Sequence, residues 1–212
     1  MDGFRLDASM PTNSKQEQPE TEKPGASKRR RSQVIIRETR TIYRRAFSET
    51  QLLDLIPDGL IDGYSYNFIT GGDVDALSYL KIVLREQNLN YLLFSTWCMA
   101  ADDILQMEEW LESGKIKKID AYVGEIFPGS YVYEYKKLTE VIVKYGGKVC
   151  VFKNHSKIFA GVGDKFSFGI QTSANINTNP RTENGCITIN DEIYQFYKDY
   201  FDGIVSFVKD KK

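Results

Sequence analysis

Five residues between positions 155 and 183 carry the side chains that displacement at a phosphate requires. His155 is the only histidine in the chain. Lys157 follows two residues later, and Ser173, Asn175 and Glu183 come after a short β-rich interval. A phosphodiester is an anion that repels nucleophiles, and its displacement concentrates charge on the equatorial oxygens. Lys157 can set a point charge against those oxygens, Asn175 an amide donor and Ser173 a hydroxyl donor. A neutral imidazole at His155 can attack phosphorus and hold the phosphoryl group as a phosphohistidine. Its other ring nitrogen then needs a partner that fixes the tautomer. A further group must protonate the leaving oxygen and later activate water. A bare His-x-Lys is a weak signal, since a histidine beside a lysine is most often an ordinary surface or core residue.

The elements that position these residues are legible from periodicity. Residues 64–69, 91–96, 119–123 and 148–152 have strand patterns, and the last of these delivers His155 at its C-terminal end. Helical patterns lie between them. One carries Val74, Leu77, Leu80, Val83 and Leu84 after Asp73, and one carries Ile104, Met107 and Leu111 after Asp102 or Asp103. A third carries Tyr131, Tyr135, Leu138, Ile142 and Tyr145 and stops at Gly146-Gly147. Residues 158–162 and 166–171 read as a hairpin around Gly163-Asp164-Lys165, and 186–189 as a further strand. A last, well-buried helix starts near Asp191, with an apolar band reaching Val208. Strand and helix alternate three times before the run of strands and the final helix. That order predicts an α/β sandwich whose mixed β-sheet is flanked by helices.

Upstream, residues 1–32 are rich in Ser, Pro, Glu, Gln and Lys, nearly free of large apolar side chains, and read as a disordered tail. The tail ends in Lys28, Arg29, Arg30 and Arg31, a run suited to nucleic-acid backbone or to a targeting signal, though such runs are more often plain solvated charge. Residues 33–59 read as a linking arm that extends the basic character through Arg37, Arg40, Arg44 and Arg45. The same segment ends in a short helix, opened by the Ser48-to-Gln51 capping signature. The globular domain is expected over 60–212. With 28 basic and 29 acidic residues, global attraction to polyanions is excluded, so any electrostatic footprint must be local. There is no long apolar run, which argues against stable membrane association, and no secretory leader is legible. Cys98, Cys150 and Cys186 are odd in number and form no C-x-x-C pair, as expected of reduced core thiols in a cytoplasmic protein.

His155-x-Lys157, an Asp in the following hairpin, and Ser173-Ala-Asn175 ahead of an acidic residue together resemble the HKD motif of the phospholipase D superfamily. The upstream alternation of strands and helices resembles that fold as well, over roughly residues 60–208. Two departures stand out. The family's Asp would fall at Val162, whereas the chain has Asp164 two positions later, and Thr172 stands where Gly is common. The resemblance implies that Glu183 is the carboxylate that orients His155. It also implies that the general acid is a second histidine from a second HKD motif. This chain has no second motif, so an active enzyme of this type would be a homodimer with two copies of the stretch facing each other across a two-fold axis. No metal and no cofactor is implied.

Asn177, Asn179 and Arg181 share the loop after Asn175 and suit contact with a substrate backbone, although Asn-Pro also makes an ordinary turn. Asp73-x-Asp75 and Asp102-Asp103 could hold a divalent cation, but their place at helix starts favours capping. Trp97, Cys98 and Met99 suit a pocket or a core, and Tyr122, Glu125 and Phe127 can border a cleft. The resemblance extends loosely to HKD proteins carried by bacteria, phages and mobile elements. The leading expectation is therefore a metal-independent DNA or RNA endonuclease. Behind it come a catalytically weak HKD-fold protein that binds nucleic acid or a partner, and then a phospholipid phosphodiesterase.

Overall fold

The alternating patterns resolve, in a computed structural model that describes residues 40–46, 48–71, 74–177 and 181–208, into a mixed eight-stranded sheet with helices on both faces. In chain order the elements are β1 (Arg40–Ala46), α1 (Glu49–Asp54), β2 (Tyr64–Thr70), α2 (Ala76–Glu86), β3 (Leu89–Thr96), α3 (Ala101–Glu112) and β4 (Ile119–Gly124). There follow α4 (Phe127–Ser130), α5 (Val132–Lys144), β5 (Val149–Phe152), β6 (Ile158–Gly163), β7 (Ser167–Thr172), β8 (Glu183–Ile189) and α6 (Asp191–Asp202). The expected α/β sandwich with a mixed sheet flanked by helices is what the structure has. The tail 1–32, with Lys28, Arg29, Arg30 and Arg31, lies outside the described residues, as do Arg37, Asp73 and Asn179.

Strand order is β1-β2-β8-β7-β6-β3-β4-β5. The pairs β1/β2, β3/β4 and β4/β5 are parallel, and the four pairs from β2 to β3 through β8, β7 and β6 are antiparallel. The C-terminal ends of β2, β3, β4, β5 and β7 therefore share one edge of the sheet with the N-terminal ends of β6 and β8. In open α/β sheets, loops at the carboxyl ends of the strands are where ligands bind.

One face packs against α1, α2, α3 and α5 around Phe68, Leu80, Phe94, Phe159 and Ile187, all buried. The helix α2 is anchored by a reciprocal cap: Ser78 N donates to Asp75 Oδ1 at 3.0 Å and Asp75 N to Ser78 Oγ at 3.3 Å. On the other face, Tyr194, Tyr197 and Phe201 of α6 pack on Leu93, Tyr122, Phe152 and Ala160. The helix ends at Asp202, earlier than the apolar band implied. The chain beyond it runs beside β5, where Phe207 N donates to Val151 O at 2.7 Å.

Two segments differ from expectation. Residues 40–46, expected in a linking arm, form the edge strand β1, whose Ile42 and Ala46 pack on the core. Its exposed Arg40 and Arg44 are what an edge strand favours, because charge discourages edge-to-edge pairing. Neither Asp102 nor Asp103 is the N-cap residue of α3, although the Asp103 carboxylate accepts a hydrogen bond from the Ala100 backbone. Ala100 holds the N-cap position without a side-chain bond, and both carboxylates fall in the first turn.

Asp103 gives a pH test of this packing. Burial, then the charge of Asp75, push its carboxyl up to about 6. With the native value raised, the contribution to stability is fully present below the ordinary value of 3.8 and is lost as pH rises through about 6. Asp103→Asn is expected to raise Tm by about 2–4 °C at pH 7.5, after allowance for solvent screening, with no gain below about pH 4. Thermal melts of both proteins at the two pH values check it.

Candidate active site

The sheet edge just described gathers most of the residues singled out from the sequence. His155 and Lys157 lie on the loop from β5 to β6, Ser173 and Asn175 on the loop leaving β7, and Glu183 is the first residue of β8. Lys157 is buried to 8% exposure, while His155 is exposed. The Lys157 Nζ lies 3.1 Å from His155 Nδ1 and 3.3 Å from Nε2, and donates to the His155 carbonyl at 2.8 Å. The ring packs against Trp97 with centroids 5.5 Å apart.

Burial lowers the Lys157 ammonium below the ordinary lysine range, partly opposed by Cys98 and Glu183. Cys98, buried to 6% exposure, lies close enough to feel that charge. If the ammonium is needed for turnover, the alkaline limb of kcat/KM falls below the usual lysine range. Lys157→Arg, whose guanidinium stays protonated, is expected to move that limb upward, at the cost of a lower plateau. A pH–rate profile of the two proteins checks it.

The Ser173 hydroxyl donates to the Glu183 carboxylate, and Asn184 N donates to Ser173 Oγ at 3.0 Å. Glu183 is thus engaged by Ser173, and it is Lys157 that touches the His155 ring. The expected Glu183–His155 bond is not formed in this single chain, because the serine lies next to the carboxylate across the β7–β8 pair. Asn175 lies beside the N-terminus of α2, where Ala76 N donates to its carbonyl at 3.4 Å. Its side-chain Oδ1 is buried with no hydrogen-bond partner among the described residues.

Asp164 does not join the group. It sits in the β6–β7 turn, at the opposite edge of the sheet, where its backbone N donates to Asn88 O at 3.2 Å. A six-residue strand separates it from the Lys157 end, roughly 20 Å at ordinary strand rise. The longer turn moves the Asp in sequence without bringing it to the site. Asn177 and Arg181 are exposed on either side of residues outside the described set. The isolated bridge of Ile176 to Met99 ties the start of that loop to the end of β3.

Sequence reasoning missed Asn154. It is buried, and its amide and backbone bond Ser95, Thr96, Tyr122, Glu125 and Ser156. An asparagine beside a loop histidine reads as a turn residue, and none of these partners except Ser156 is local. Also unforeseen is a groove of about 830 Å³ that starts at Ser173 and crosses the sheet, lined by Asn67, Ile69, Gln171, Asn184 and Cys186. α6 borders it, since Gln171 at its near wall donates to the Tyr197 hydroxyl. Among the described residues, no cluster of three or more His, Cys, Asp or Glu side chains could hold a metal ion. No described helix is long and apolar enough to cross a membrane.

No protein-family model matches this chain, and no curated protein matches it. Solved structures are similar at low identity. A polyphosphate kinase from Porphyromonas gingivalis is 15% identical with a TM-score of 0.48, over 73% of this chain and 31% of that one. A phosphatidylserine synthase from Haemophilus influenzae Rd KW20 is 15% identical with a TM-score of 0.47, over 64% and 37%. TrmBL2, an archaeal chromatin protein with a novel mode of DNA binding, is 13% identical with a TM-score of 0.42, over 73% and 57%. The matched region spans about a third of the first two chains and just over half of the third.

Proposed function

We propose that the protein is a metal-independent phosphodiesterase, acting as a homodimer on nucleic acid through a phosphohistidine at His155. The observation that carries this reading is the buried Lys157 ammonium held on the exposed His155 ring, at the same sheet edge as Ser173, Asn175 and Glu183. A phosphoryl oxygen approaching the ring would meet the Lys157 charge at once. The orphaned Asn175 Oδ1 supports a ligand role for that amide. A buried acceptor without a partner costs about 1–3 kcal/mol, a cost that recurs where a side chain is held for its other end, here the Nδ2 donor.

In the first step an imidazole nitrogen of His155 forms a bond to phosphorus and the bond to the leaving oxygen breaks. The proton for that oxygen comes from the His155 imidazolium of a second copy, since this chain has one histidine. In the second step the now neutral imidazole of that copy takes a proton from water. The water oxygen bonds phosphorus, and the P–N bond breaks to free His155. The groove beside Ser173 supports a polymeric substrate, since it offers room for the chain flanking the scissile bond.

The engagement of Glu183 by Ser173 favours a second reading, an HKD-like protein that binds nucleic acid without efficient turnover. The test is incubation of the purified protein with plasmid DNA in excess chelator, beside His155→Ala. Chelator-resistant cleavage that disappears in the variant supports the phosphodiesterase. Retention of DNA without cleavage supports the second reading, and activity only with added divalent metal overturns the first.

A further inference from the structure

We propose that Asn154 is the positioning residue that fixes His155, setting the imidazole over the carboxyl ends of β3 and β4. Asn154 is 7% exposed and touches no reacting atom. The two protons of its Nδ2 are shared among Ser95 Oγ at 2.9 Å, Thr96 O at 3.1 Å and Tyr122 O at 3.1 Å, so one amide group ties together the ends of two neighbouring strands. Its Oδ1 accepts from Ser156 N at 2.9 Å and from Ser156 Oγ at 2.7 Å. Ser156 Oγ in turn lies 2.6 Å from Ser95 Oγ, which closes the ring of bonds, and Asn154 N donates to Glu125 Oε2 at 3.2 Å.

The residues on both sides of His155 are therefore pinned, and the histidine between them is free only about its own side-chain torsions. Those are limited in turn by Trp97 on one side and the Lys157 Nζ on the other. The seat is close-fitting. A Cβ on Gly124 would lie 2.8 Å from Trp97 Cδ1 and 3.2 Å from Asn154 O, so β4 approaches both residues as nearly as a glycine allows. A nucleophile that must meet phosphorus along one line gains rate from such fixing, and a misplacement of about 1 Å costs about a hundredfold.

The kinetic side of this inference rests on the phosphodiesterase reading, and the spectroscopic side does not. Asn154→Asp keeps the shape and replaces the Nδ2 donor with an oxygen that faces two backbone carbonyl oxygens, Thr96 O and Tyr122 O. The single histidine makes the ¹⁵N-labelled imidazole spectrum a report on His155 alone. The native protein is expected to give one sharp ring spin system with slow internal motion, and Asn154→Asp a broadened or motionally averaged one. Turnover should fall about a hundredfold with KM changed less than about threefold. Ser156→Ala, which removes one hydroxyl from the network, gives the same direction at roughly threefold and guards against misfolding of the first variant. Loss of ring order in both variants of a protein that never cleaves DNA would leave the positioning role standing and sink the phosphodiesterase. An unchanged ring spectrum in folded Asn154→Asp, whether or not Tm falls, overturns the positioning role.

Discussion

His155→Ala is expected to lower chelator-resistant cleavage by about 10⁴-fold or more while leaving Tm within about 1–2 °C of the native value. The size of the loss follows from the count of histidines. If one imidazole is the nucleophile and its copy in the second subunit is the general acid, a single substitution removes both from the dimer. The small change in stability follows from exposure, since the ring lies outside the core and its neighbours Asn154 and Lys157 keep their own seats. Mixed dimers sharpen the expectation. A dimer of one native and one His155→Ala chain retains either a nucleophile or an acid but never both. Mixing native protein with excess variant should therefore inhibit cleavage beyond simple dilution. Plasmid cleavage against mixing ratio, after exchange of subunits, measures this.

Gly147→Ala should be among the most damaging single-methyl additions in the fold, with a loss of about 3 kcal/mol, or about 10 °C in Tm. A Cβ there would stand 1.8 Å from Ile119 O and 2.8 Å from Ile142 Cγ2. The carbonyl belongs to the start of β4, and Ala121 N of that strand bonds Lys148 O at 2.8 Å, one residue past the glycine. The clash cannot be relieved by a side-chain rotation. Either β4 or the start of β5 must move, and β5 is the strand that carries the chain to His155. Gly129→Ala is the control: nothing lies within 4 Å of a Cβ there, and its stability is expected to stay within about 0.5 kcal/mol of native. Thermal melts of the two variants separate the cases.

The helices α3 and α5 were legible because each has one buried face, which writes its period into the sequence, and β3, β4 and β5 because strands buried on both faces read as short apolar runs. The strand β1 was not. In Arg40–Ala46 only Ile42 and Ala46 pack on the core, and the arginines that suit an edge strand are the residues that make a segment read as a basic arm. The first residues of β8 were missed for a related reason. Glu183 and Asn184 are polar and unalternating, and they are held in the sheet by pairing with Thr70 and Ile69 of β2, a partner more than a hundred residues away.

The candidate site divides in the same way. His155, Lys157, Ser173, Asn175 and Glu183 are brought to one edge because the strand directions place every loop that carries them there. Asp164 was drawn in as the acidic residue of the hairpin, two positions off the motif's spacing, and the hairpin carries it to the other edge. The hydrogen bonds of Asn154 reach β3 and β4, a relation that local spacing does not encode. The pairing of Glu183 with Ser173 is set by the β7–β8 register, so the role expected of that carboxylate could not be read from its place in the chain.

The most direct test of the account is a search for the covalent intermediate. Protein in excess chelator would be quenched during turnover of a labelled oligonucleotide, digested, and mapped for the modified residue. The account predicts a phosphoramidate adduct on His155 that is labile in acid and stable in alkali. Cleavage that proceeds with no adduct on His155, or with the label on any other side chain, would contradict it.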